Sequence, residues 1–195
     1  MLFIKYWTKE VDCRFMKRKT ISLLLCLCMV LTLLPTTALA STNEDVFGHF
    51  FVRAAAGVSV GDVASYDDEK HVLTIKGDCT VSMSVYAEKT TTDKIVVDSE
   101  EEVNIVLDGV YIDFYSVDSY DGPPFSITST AGPVNITLAD GSTNILKSST
   151  GYGGSKYAGL QKDNEAMLTI NGSTGKLIAQ GGLTGAGIGG ENGKG

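Results

Sequence analysis

Tyr111, Tyr115, Tyr120, Tyr152 and Tyr157 cluster within two loops rich in Ser, Gly and Asp and in the strands beside them. A tyrosine ring offers a flat apolar face and a hydroxyl, the combination that suits an amphipathic pyranose ring. These five residues are the candidate carbohydrate-binding surface. Asp113, Asp118 and Asp121 fall in or beside the first of the two loops, and Asp108 and Asp140 sit at turns. Carboxylates and backbone carbonyls in turns are hard-oxygen ligands of the kind calcium takes. No EF-hand spacing and no glycine–aspartate nonapeptide run accompanies them. Asp113, Asp118 and Asp121 are therefore the candidate metal ligands, with calcium as the expected ion.

The residues that could catalyse are poorly arranged for it. His49 and His71 stand apart in the chain, with no Ser or Cys elbow to match. No His/Cys cluster has zinc spacing. Asp67-Asp68 is the only adjacent Asp pair and reads as a solvated turn. A polysaccharide lyase needs a basic side chain, and Arg53 is the only arginine after residue 40. Gly185-Ala186-Gly187-Ile188-Gly189-Gly190 satisfies a dinucleotide-binding string, but Glu191-Asn192-Gly193 is no helix start, so a tight turn is expected. Gly193-Lys194 is not a phosphate loop, because Ile188 occupies the required glycine position. The expectation is a protein that is not an enzyme.

The elements that would position these residues show as a repeat. Leu73-Thr74-Ile75-Lys76-Gly77, Ile105-Val106-Leu107-Asp108-Gly109, Ile136-Thr137-Leu138-Ala139-Asp140-Gly141 and Leu168-Thr169-Ile170-Asn171-Gly172 begin 32, 31 and 32 positions apart. Each alternates apolar and polar residues and ends at a Gly turn, which is strand patterning. A second row follows at Val81, Val110, Asn144 and Lys176, and a third at Ile95, Phe125, Ala158 and Ala186. A constant period points to stacked repeats, and an antiparallel sandwich does not require one. The expected fold is all-β, a right-handed single-stranded parallel β-helix (β-solenoid) of about four coils. Leu73, Ile105, Ile136 and Leu168 would form one of its inward columns.

The chain of 195 residues is the length of one domain. Met16-Lys17-Arg18-Lys19, the apolar run Ile21–Leu34 and Ala38-Leu39-Ala40 form the three regions of a secretory signal peptide. The expected organisation is an over-extended start over 1–15, a signal peptide over 16–40, a lead-in over 41–60, and the β-solenoid over 61–195. The segment Gly61–Glu69 should be a turn. The solenoid is expected to be truncated at its C-terminal end, with further domains following. Six of the 16 Lys+Arg and two of the 23 Asp+Glu precede residue 41, which leaves 10 against 21 and a net charge of −11. That balance excludes a nucleic-acid binder, whose affinity rests on basic side chains. Cys79 alone remains beyond residue 40, so no disulfide framework exists, and it reads as a small buried residue.

The units Asn104–Gly109, Asn135–Asn144 and Leu168–Leu177 resemble the carbohydrate-binding β-helix domain of secreted and surface proteins from Gram-positive bacteria. Gly181–Gly190 also resembles the Ala-Gly-Ile-Gly-Gly repeats of large wall-associated proteins from gut Firmicutes. The resemblance spans about residues 70–190. It implies a right-handed parallel β-helix that binds acidic plant-type polysaccharide with help from calcium and does not hydrolyse it. The expected partner is a polysaccharide or cell-wall glycan. Nucleic acid is not expected, nor is any membrane contact beyond the signal peptide. The expected location is secreted or at the cell surface. A structural surface stalk is the alternative, and a β-helix lyase or hydrolase a third reading.

Overall fold

The computed structural model describes residues 42–85, 90–115, 122–151 and 156–190. All of them lie in one compact unit, Ser41–Gly195. The expected leader, Tyr120, Tyr152, Asp118 and Asp121 fall outside the described residues.

Fifteen strands and one short helix follow in chain order among these residues. The strands are β1 (Glu44–Phe47), β2 (Phe50–Ala54), β3 (Ala64–Asp67), β4 (Val72–Ile75), β5 (Cys79–Met83), β6 (Lys94–Val97), β7 (Val103–Asp108) and β8 (Tyr111–Asp113). Then come β9 (Phe125–Ile127), β10 (Val134–Leu138), β11 (Thr143–Lys147), β12 (Leu160–Lys162), β13 (Leu168–Gly172), β14 (Lys176–Gln180) and β15 (Ile188–Gly189). The helix α1 is Val60–Val63. The strands form three sheets, ordered β1-β2-β5-β7-β10-β13, β14-β11-β8 and β15-β12-β9-β6-β4-β3.

This arrangement corrects the expected single-stranded parallel β-helix of about four coils. Two of the three sheets are mixed. The pairs β1–β2, β2–β5 and β3–β4 are antiparallel, and only the later pairs are parallel. The reason is local. A parallel pair needs a crossover of a dozen or more residues, whereas a tight turn reverses the chain. Gly48 and His71 supply such reversals in the left-handed region, at φ +56° and +54°. Nor is Gly61–Glu69 only a turn, since it contains most of α1 and all of β3.

The register is corrected too. Leu73 and Ile75 pair with Ile95 and Val97, so β4 belongs to a different sheet from β7. The partner of Ile105 on that side is Cys79. Ile105 and Ile136 are partners, but Ile136 then meets Ile170, because Leu168 pairs with Val134. Glycines at φ +74° and +73°, Gly109 and Gly141, turn the chain after β7 and β10.

The strands alternate as half-buried strands should: Val103, Ile105 and Leu107 are buried, while Asn104 and Asp108 are exposed. Inward residues of all three sheets, among them Val81, Ile105, Ile136, Ile95, Phe125, Ile112 and Leu146, join one core cluster. Each such side chain contributes about 1.5–3 kcal/mol on burial. Asn144 is one of the buried polar residues, and it is satisfied. Its Oδ1 accepts from the Val110 N–H at 2.9 Å, and its amide donates to Ser142 Oγ at 3.0 Å and Lys176 O at 3.3 Å.

Candidate functional site: an outward strip on the three-stranded sheet

Strand β8 is only three residues long, with Ile112 buried and Tyr111 and Asp113 facing outward, half-buried. It pairs in parallel with β11, which pairs with β14. Tyr111, Ile145 and Ile178 therefore line up across the sheet, and Asp113, Lys147 and Gln180 line up beside them. Thr91 extends this sheet by one bridge, to Ile112. Its N–H donates to Tyr111 O and its carbonyl accepts from Asp113 N–H, both at 3.0 Å. Buried Thr91 leaves exposed Thr90 and Thr92 level with Tyr111 and Asp113. The result is an aromatic and aliphatic row alongside a row of hydroxyl, carboxylate, ammonium and amide.

Lys147 Nζ donates to Asp113 Oδ2 at 2.9 Å and lies 5.7 Å from the Tyr111 ring centre. The Asp113 carboxylate holds the ammonium charged, raising its pKa above the ordinary lysine value. Asp113 Oδ1 accepts from the Tyr115 N–H at 2.9 Å. Both oxygens of Asp113 are thus engaged, and an ammonium beside it opposes a second cation. A cleft of about 280 Å³ opens here, lined by His49, Thr90, Thr91, Thr92 and Asp113.

His49, one of the lining residues, is held by a group of residues distant in sequence. Asp93, just before β6, has a side chain only 2% exposed. Its Oδ2 accepts from His49 Nδ1 at 2.8 Å, from the His49 backbone N–H at 3.1 Å and from the Tyr66 hydroxyl at 2.8 Å. His71 Nδ1 stands 3.7 Å from Oδ1 and 3.3 Å from the Tyr66 hydroxyl. Burial alone would raise the carboxyl pKa, but the hydrogen bonds from His49 and Tyr66 outweigh it and hold the group below the usual aspartate value. The packing demands glycine at position 48, where a Cβ would stand 2.3 Å from Tyr66 Cζ and 2.5 Å from Asp93 Oδ2. The β1–β2 turn, the β3–β4 hairpin and the entry to β6 are tied at this one carboxylate.

The sequence-predicted residues are therefore divided. Tyr111, Asp113 and Tyr115 lie together, and Tyr115 is the most open of them at 49% exposure. Tyr157 belongs to another stretch, with the Lys156 ammonium 4.9 Å from its ring centre. The histidines, set aside because they are distant in the chain, share one carboxylate. Lys147 and Thr90–Thr92 carried no motif. Among the described residues, no group of three or more His, Cys, Asp or Glu could hold a metal ion. Of the adjacent pair expected in a turn, Asp67 instead ends strand β3 and only Asp68 lies in the turn; the Asp67 pKa is lowered chiefly by the side-chain hydrogen bond from Lys70.

No protein-family model, curated protein or solved structure matches the chain.

Proposed function

We propose that the protein is a secreted or cell-surface glycan-binding module that performs no chemistry and takes acidic polysaccharide. The observation that carries the reading is the two-row strip on the three-stranded sheet. Tyr111, Ile145 and Ile178 offer apolar surface to sugar ring faces. Thr90, Thr92, Asp113, Lys147 and Gln180 offer polar groups to hydroxyls, and Lys147 offers a cation to a carboxylate. Tyr115, whose backbone N–H donates to Asp113, supplies an exposed ring two residues beyond it. Calcium assistance belongs to the proposal as a bridge between an acidic chain and an acidic ligand.

The test is retention of the protein on insoluble polysaccharides, with calcium and then with chelator. Retention on a polyuronate that chelator abolishes supports the calcium-bridged form, and retention that survives chelator assigns the ligand carboxylate to protein cations. A folded protein retained on no glycan is a structural surface element instead, and the reading falls.

A further inference from the structure

We infer that His49 is the ligand-contacting cation of the cleft, and that its proton makes binding of an acidic glycan pH-dependent. This inference rests on the glycan-binding reading above. His49 lines the cleft with its side chain 48% exposed, yet one edge of its ring is fixed to Asp93, whose carboxylate is buried. Three donors already converge on that carboxylate, so it stays ionised and holds the Nδ1 proton of His49 in place. That fixes the tautomer. In the neutral ring, Nε2 is then only an acceptor, able to meet a sugar hydroxyl but not a carboxylate. A second proton can enter only at Nε2. It converts that atom to a donor and puts a positive charge on the cleft wall, where a charge-assisted hydrogen bond to a carboxylate becomes available.

The surrounding charges favour the same direction. Asp113 lines the same cleft as His49, and its charge is answered by Lys147, which also neighbours Tyr111. Thr90, Thr91 and Thr92 are uncharged. Asp93 holds the Nδ1 edge of the ring, and Tyr66 and His71 meet Asp93; none of these three is among the cleft's lining residues. Histidines exchange their protons between about pH 5 and 8, a range in which uronate carboxylates remain ionised. Acidification through it therefore adds attraction to the cleft without removing charge from the ligand.

The experiment measures binding of the intact protein to soluble polygalacturonate and to a neutral galactan, at pH 8.0 and pH 5.5. The expected result is roughly tenfold tighter binding of polygalacturonate at the lower pH, within the usual range of coupling between two bound species. The galactan should show no such change. His49→Gln should flatten the pH dependence, and His71→Gln should keep it. A second measurement needs no variant: oligogalacturonate should perturb the His49 ring signals in NMR more strongly at pH 5.5 than at pH 8.0. Polygalacturonate binding that is independent of pH, or pH dependence that survives in His49→Gln, overturns the inference and leaves the glycan reading standing. Absence of binding to either polymer at either pH overturns both.

Discussion

Asp93→Asn tests how the N-terminal hairpins are held to the rest of the protein. The change keeps the side chain's shape and removes its charge. Three donors aim at Oδ2: two from His49, at 3.1 and 2.8 Å, and the Tyr66 hydroxyl at 2.8 Å. A hydrogen bond to a charged group contributes about 1.5–3 kcal/mol net, and bonds sharing one acceptor do not add. The asparagine oxygen preserves part of the set, while its NH2 faces donors instead of acceptors. The expected loss is about 3 kcal/mol at pH 7, which for a protein of this size lowers Tm by roughly 6–12 °C.

The pH dependence supplies the sharper half of the test. The Asp93 carboxyl titrates below the ordinary aspartate value in the folded protein. A depressed folded pKa means stability that is complete above the unfolded value of about 3.9 and lost as pH falls through the folded one. Urea unfolding of wild type and Asp93→Asn should therefore give a gap that is present at about pH 5 and closes as the medium becomes more acid. A gap under about 1 kcal/mol at pH 7, or one unchanged down to pH 3, would refute the claim that this carboxylate joins the three segments.

Other consequences follow from single positions. Gly48→Ala meets both a left-handed φ and the Tyr66 ring, so it should cost roughly 2–4 kcal/mol, whereas Gly57→Ala, at φ +84° with nothing within 4 Å, should cost only about 1 kcal/mol. Equal urea midpoints for the two variants would contradict the close approach of Tyr66. Burial, helped by the neighbouring Asp78, pushes the Cys79 thiol up to about 12. Iodoacetamide at pH 8 should leave Cys79 unmodified in the native protein and label it in urea, as read by peptide mass mapping. Tyr115→Ala combined with Tyr120→Ala should weaken polysaccharide retention, with an unfolding midpoint within about 0.5 kcal/mol of wild type. Undiminished retention would remove both rings from the binding surface.

The strands were legible because alternation leaves a mark in the residues themselves. Val103, Ile105 and Leu107 face the core, and any reader of period 2 finds them. Their pairing was less legible. Leu73-Thr74-Ile75-Lys76-Gly77 fits the same template as Ile105-Val106-Leu107-Asp108-Gly109, yet the two lie in different sheets. A one-face pattern says which side of a strand is buried and not which strand it meets. The same ambiguity misplaced Leu168 by one inward position, because Val134, its partner, precedes the apolar residue that opened the matching string. What separates these alternatives is turn chemistry. Gly48 and His71 both take left-handed φ; the first makes an antiparallel hairpin of the expected lead-in, and the second does the same at the start of the expected solenoid.

The candidate site depends on that difference. Asp93 stands 44 residues from His49 and 22 from His71, with no motif linking them. In an unbroken parallel stack, neighbours would fall one period apart, and neither separation matches the 31–32-residue spacing of the repeat. Only the two reversals carry both histidines to one carboxylate. Tyr111 and Asp113, by contrast, are two residues apart on a strand, and a period-2 reading places them on one face at once. The half of the cleft on β8 is therefore written in local sequence, while the half at His49 exists only after the chain has turned back on itself.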